Sequence, residues 1–186
     1  MRDIAAAAGI TERTAQAIVA DLPAWPGLYQ PLLAVLAIAR EPLSGAELAA
    51  YAGLSADPSW AEDALLRLGQ FLTENAGRVQ LYHASLADFL TGPQAREHYR
   101  WTCVDAPAWH RRLVDRAAGR YADRWNQATD YLRRQLAGHA EECGQATRLL
   151  DDPGFAAEAE PQYLIPVAAR TKGPGADLIQ RAAQHL

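Results

Sequence analysis

The stretch Leu32–Leu54, LLAVLAIAREPLSGAELAAYAGL, decides how the chain is read. Tyr29 to Ala39, which overlaps its start, is apolar nearly all round and predicts a helix central to a core. The apolar run ends at Arg40 after about half the length a bilayer crossing needs, so no membrane span is expected. Ser44 followed by Glu47 is the capping-box signature, opening a second helix that runs to Tyr51. Gly53 supplies the turn that ends it.

Downstream, Pro58–Leu68 predicts a third helix with Trp60, Ala64, Leu65 and Leu68 facing inward. Phe71–Thr73 and Val79–Tyr82 read as two short strands around Asn75-Ala76-Gly77, since Asn and Gly tolerate the positive dihedrals of a tight hairpin. Three helices followed by a hairpin is the winged-helix order. His83, Ser85 and Asp88 have the residue types of a hydrolytic triad, but a triad needs side chains that converge, and this spacing does not provide that. Ser85 and Asp88 are instead expected to cap a helix start. No catalytic residue is assigned, and the chain is expected not to be an enzyme.

The segment Leu81–Leu90, LYHASLADFL, resembles the end of the winged-helix domain of STAND-class signalling NTPases, the NACHT type in particular. Leu32–Leu54 resembles the first two helices of the same domain. The resemblance implies a mainly α fold: a winged-helix domain with a small β-hairpin, followed by a helical, solenoid-like arm. It also implies that His83 contacts the β-phosphate of ADP held in the adjoining NTPase domain. An imidazole suits that task because it donates to an anion without carrying a permanent charge. The 186 residues contain no G-x-x-x-x-G-K-[ST] loop, so the contact is expected only with an NTPase domain from another chain.

Residues 103–186 are expected to form the arm. Pro107 suits a helix start, and Trp109, Leu113, Ala117, Tyr121 and Trp125 recur every four residues as one apolar stripe. Tyr131, Leu132, Leu136 and Ala140 predict a second helix closed by Gly144, and Ala146–Leu150 a short third. Helix pairs of this kind must stack on neighbours to bury their stripes. Asp152-Pro153-Gly154 and Gly173-Pro174-Gly175 read as punctuation. Charge is divided here: residues 96–134 carry nine Arg against five acids, and residues 135–162 one Arg against six. Antiparallel helices pairing opposite charges account for this. Cys103, His110, His139 and Cys143 have zinc-ligand chemistry, but their spacing lacks the short paired loops of zinc motifs, so no metal is expected.

Upstream, MRDIAAAAGITERTAQAIVADL resembles the second half of a helix-turn-helix of bacterial transcription regulators. That likeness implies that Thr11, Arg13, Thr14 and Gln16 face a major groove, making DNA binding through residues 10–21 the alternative function. The charge of this segment is −1, and Pro23–Gly27 stands where a wing would follow. Across the chain, a net charge of −4 and a pI near 5.7 lack the basic excess of a dedicated nucleic-acid binder. Seventeen of the 18 basic residues are Arg, which fits a GC-rich coding bias. Two cysteines and no visible leader point to a reducing, cytoplasmic setting. The expected organisation is a helix-turn-helix-like hairpin over 1–24, a winged-helix domain over 28–101 and an arm over 103–186. The expected role is a regulatory protein-interaction module with a protein partner, an NTPase domain among the candidates, and no cofactor.

Overall fold

A computed structural model describes residues 25–54, 58–93, 97 and 103–185. The protein is mainly helical with one small antiparallel sheet, and it divides into two compact units, Met1–Ala106 and Pro107–Leu186. The helix-turn-helix-like reading of residues 1–22 lies outside the described residues.

In the first unit, a single π-helical turn, Trp25–Tyr29, runs into α1 (Gln30–Ile38). Trp25-Pro26-Gly27 thus belongs to the helical lead into α1. Leu32–Leu36 and Ile38 of α1 are all buried, as an all-round apolar helix requires. The chain then forms β1 (Leu43–Ser44) and α2 (Gly45–Ala52). The capping box is present: the Glu47 amide donates to Ser44 Oγ at 3.2 Å, and Glu47 Oε2 accepts from the Ser44 amide at 2.9 Å. Gly53 closes α2 with φ 72°.

Helix α3 (Pro58–Leu68) follows, with Ala64 and Leu68 fully buried, and a 3-10 turn at Gly69–Phe71 leads to the hairpin. Its strands are β2 (Leu72–Asn75) and β3 (Arg78–Leu81). The hairpin is thus displaced from its expected bounds, because the buried Phe71 belongs to the 3-10 turn and Asn75 pairs with Arg78. The two loop residues are Ala76 and Gly77, with φ 51° and 72°, so the first left-handed position falls on an alanine. Strand β1 pairs with β3 through Leu43–Val79 and Ser44–Arg78, giving the sheet order β1-β3-β2. Helix α4 (Ala84–Thr91) leaves the end of β3 and buries Leu86 and Leu90. The Val104 amide then donates to the Leu90 carbonyl at 2.8 Å.

The second unit opens with α5 (Ala106–Tyr121), which buries Trp109, Leu113, Ala117 and Tyr121. Trp125 is not the next member of that stripe. The helix ends at Tyr121, and Trp125 sits on a separate 3-10 turn, Trp125–Gln127. There its indole N–H donates to Asp152 Oδ2 at 2.8 Å, and its ring meets Phe155 edge-on at 5.0 Å. Helices α6 (Asp130–Glu142) and α7 (Ala146–Leu150) follow, with Gly144 between them at φ 72°. The presumed punctuation then starts helices: Pro153, Pro161 and Pro174 each open one, α8 (Pro153–Glu158), α9 (Pro161–Arg170) and α10 (Pro174–Ala183). A proline at the first helical position loses no hydrogen bond, because that amide has no partner in the helix.

Asp152 caps α8, Oδ1 accepting the Gly154 and Phe155 amides at 2.9 and 3.2 Å. Asp151 Oδ1 accepts the Gly175 amide at 2.9 Å and ties the start of α10 to the end of α7. A Cβ on Gly175 would stand 2.2 Å from the Leu150 carbonyl oxygen, so this approach needs glycine. Opposite charges do pair across the segments of opposed sign, Arg134 with Glu160 and Arg148 with Asp115. A planar fork joins α9 to α6: Arg170 Nε and Nη2 donate to the two Glu141 carboxylate oxygens at 2.6 and 2.8 Å.

Replacing the strained alanine tests the hairpin turn. Ala76→Asn gives the Asn-Gly pair that a two-residue turn with two positive φ angles prefers. It should raise the unfolding free energy by about 0.5–1 kcal/mol in urea titrations without changing the far-ultraviolet circular dichroism.

Candidate functional site

The strand–helix junction after β3 holds the one nucleotide-facing residue expected from the sequence. The Tyr82 amide donates to the Phe71 carbonyl at 2.7 Å, which carries the ribbon to its end. His83 then takes an extended backbone (φ −137°, ψ 133°) and is the N-cap of α4. Its Nδ1 accepts the Ser85 amide at 3.2 Å, while its carbonyl accepts the Leu86 amide at 3.0 Å. The capping role expected of Ser85 and Asp88 therefore falls to the imidazole. Histidine is an unusual cap, and the Ser/Thr/Asp rule points past it. With Nδ1 accepting, a neutral ring carries its proton on Nε2. The ring is exposed, so the junction offers an Nε2–H donor at the surface. The contact with residue 85 is to its amide, not its hydroxyl, so Nδ1 is not positioned as a base for the serine.

The alternative site residues, Thr11, Arg13, Thr14 and Gln16, lie outside the described residues. Within the first unit, α3 and the hairpin carry exposed charge that is mostly acidic. Glu62, Asp63 and Leu66 of α3 and Glu74 of β2 are exposed there, alongside Arg67. Carboxylates in those positions repel phosphates and release no counterions.

His110, His139 and Cys143 of the metal-type set all belong to the second unit, and Cys103 belongs to the first. Among the described residues, no three His, Cys, Asp or Glu side chains are grouped so as to hold a metal ion. The two histidines bond to each other instead. His110 Nδ1 and His139 Nδ1 are 2.7 Å apart, and Tyr131 Oη lies 2.7 Å from His139 Nε2. His139 and Tyr131 are fully buried. Two proton arrangements satisfy this chain. Tyr131 donates to His139, which donates to His110, or every donation is reversed. Either one occupies both ring nitrogens of His139, so neither is available to a metal. Tyr131 and His139 share α6, but the arrival of His110 from α5 has no local sequence signal. The Cys143 thiol donates to the Ala140 carbonyl at 3.6 Å, and burial pushes its pKa up, with nearby Arg111 opposing. A thiol held protonated is a poor ligand and a poor nucleophile.

No protein-family model, curated protein or solved structure matches this chain.

The Cys143 environment predicts a specific reactivity. At neutral pH the folded protein should take up iodoacetamide at Cys143 at least about tenfold more slowly than the protein unfolded in urea, as measured by peptide mass spectrometry. Because the folded pKa is raised, the native rate should climb only as the pH passes above the usual thiol range.

Proposed function

We propose that this chain is a non-enzymatic regulatory module for protein interaction, similar to the conformational-switch region of a NACHT-type STAND NTPase. In this reading residues 28–101 are a winged-helix domain and residues 103–186 a helical, solenoid-like arm. The sheet order β1-β3-β2, with helices placed before, between and after the strands, supports the winged-helix assignment. The observation that carries the functional reading is His83. It is exposed at the end of β3, with Nδ1 engaged and Nε2 left as the donor, which suits the phosphate contact that the resemblance implies. The nucleotide comes with an NTPase domain outside these residues, since residues 1–186 encode no phosphate-binding loop.

Both cysteines are free thiols, which suits the cytoplasmic setting proposed for this module. Among the described residues, no helix is long and apolar enough to cross a membrane. DNA binding through residues 10–21 remains the alternative. A gel shift at low salt, with Arg13→Ala and Gln16→Ala as controls, decides that alternative directly.

The test is affinity capture on the immobilised chain with ADP and magnesium present. A protein carrying a G-x-x-x-x-G-K-[ST] loop should be retained, and His83→Ala should cut its ADP-dependent retention by about tenfold. ADP titrated into the chain alone should produce no heat. Equal retention with and without His83, or no such protein retained, contradicts the proposal.

A further inference from the structure

The hairpin and α3 enclose a cleft of about 510 Å³, open to solvent, that the nucleotide reading does not use. Its floor is apolar, formed by Leu65, Leu72 and Val79. Leu66 stands on its wall with 79% of its surface exposed, the largest exposure among the described large apolar side chains. Glu62 on α3 and Glu74 on β2 also line it, and no Lys or Arg is among its described lining residues. Register explains the shape. Leu72 and Glu74 point to the same face of β2, and Glu74 lies opposite Val79 across the ladder, so the carboxylate tops an otherwise apolar face. A leucine kept in water costs free energy that covering it would recover. The volume is that of a ligand pocket, and its charge excludes phosphate-rich partners.

We propose that this cleft docks a short segment of a partner protein: an apolar anchor side chain against Leu65, Leu66, Leu72 and Val79, flanked by Lys or Arg that pair with Glu62 and Glu74. Charge complementarity selects the occupant. Nucleic acid and acidic segments meet two carboxylates, whereas a basic flank converts both into charge-assisted hydrogen bonds around a desolvated anchor. This deepens the interaction-module reading and rests on it for the existence of a partner protein, but it needs no nucleotide and no NTPase domain.

The test uses the purified full chain, so its outcome is independent of NTPase capture. A short fluorescein-labelled peptide of leucines interspersed with arginines is titrated by fluorescence polarisation. The controls are peptides with Arg changed to Glu or Leu changed to Ser. Saturable binding is expected for the first peptide alone, weakened about tenfold or more by Leu66→Ser and by Glu62→Lys/Glu74→Lys. Asp123→Lys/Glu158→Lys changes net charge equally in the second unit and should leave the affinity unaltered. In nitrogen-15 correlation spectra, the peptide should shift the amides of Gly45, Gly69 and Gly77, which line the cleft. No saturable binding, equal loss with the control pair, or shifts that avoid those glycines would overturn the proposal. So would self-association abolished by the cleft substitutions, because the occupant would then be a second copy.

Discussion

The carboxylate of Glu47 sits in a place where a charge is costly. Its residue is only 9% exposed, and it is held there by the Ser44 amide, the Ser44 hydroxyl at 2.8 Å and the Arg78 guanidinium at 3.3 Å. Burying a carboxylate costs several kcal/mol unless its charge is compensated, and here Oε2 takes all three contacts. Arg78 also donates to the Pro42 carbonyl at 2.8 Å. One network therefore begins α2, ends the loop before β1 and grips the first residue of β3. Strand β1 has two residues, too few for its ladder alone to hold a ribbon in place. The Glu47–Arg78 tie supplements it. The hairpin's position against α3, the cleft between them and the junction at His83 all follow from where Arg78 is held.

The second unit is organised differently, by helix starts and one buried polar chain. Three prolines at first helical positions set where α8, α9 and α10 begin, and two adjacent aspartates, Asp151 and Asp152, hold the starts of α10 and α8. The Tyr131–His139–His110 chain runs through the interior with its hydrogen bonds made, which specifies a single packing because any slip would strand a buried donor or acceptor. These histidines are structural by geometry, whereas His83 is placed at the surface. The same residue type serves two purposes, and burial decides which.

Features with a local cause were legible in the sequence. The capping box, the all-round apolar α1, the left-handed Gly53 and Gly144, and the start and end of α7 each follow from residues within four positions of one another. What escaped depends on distant residues. Strand β1 is too short to show a period, and its existence depends on Val79 and Arg78 arriving beside it. The hairpin register put the first left-handed angle on Ala76 rather than Asn75, because Asn75 was claimed by the ladder. Trp125 fitted the four-residue spacing of α5 yet left it, drawn by an acceptor on Asp152 and a ring on Phe155. Of the junction, the end of the ribbon before His83 was legible, but the capping role of the imidazole was not. The cleft was invisible, since its walls are Leu65 and Leu66 on one element and Leu72, Glu74 and Val79 on others.

The hairpin's placement rests on the coupling between Glu47 and Arg78, and a double-mutant cycle in urea measures it directly. Glu47→Gln, Arg78→Met and the double variant should give an interaction energy of about 1–3 kcal/mol, with the double variant less destabilised than the sum of the singles. Additive effects, within about 0.3 kcal/mol, would mean that the tie does not hold the hairpin and that the cleft and junction are positioned by something else.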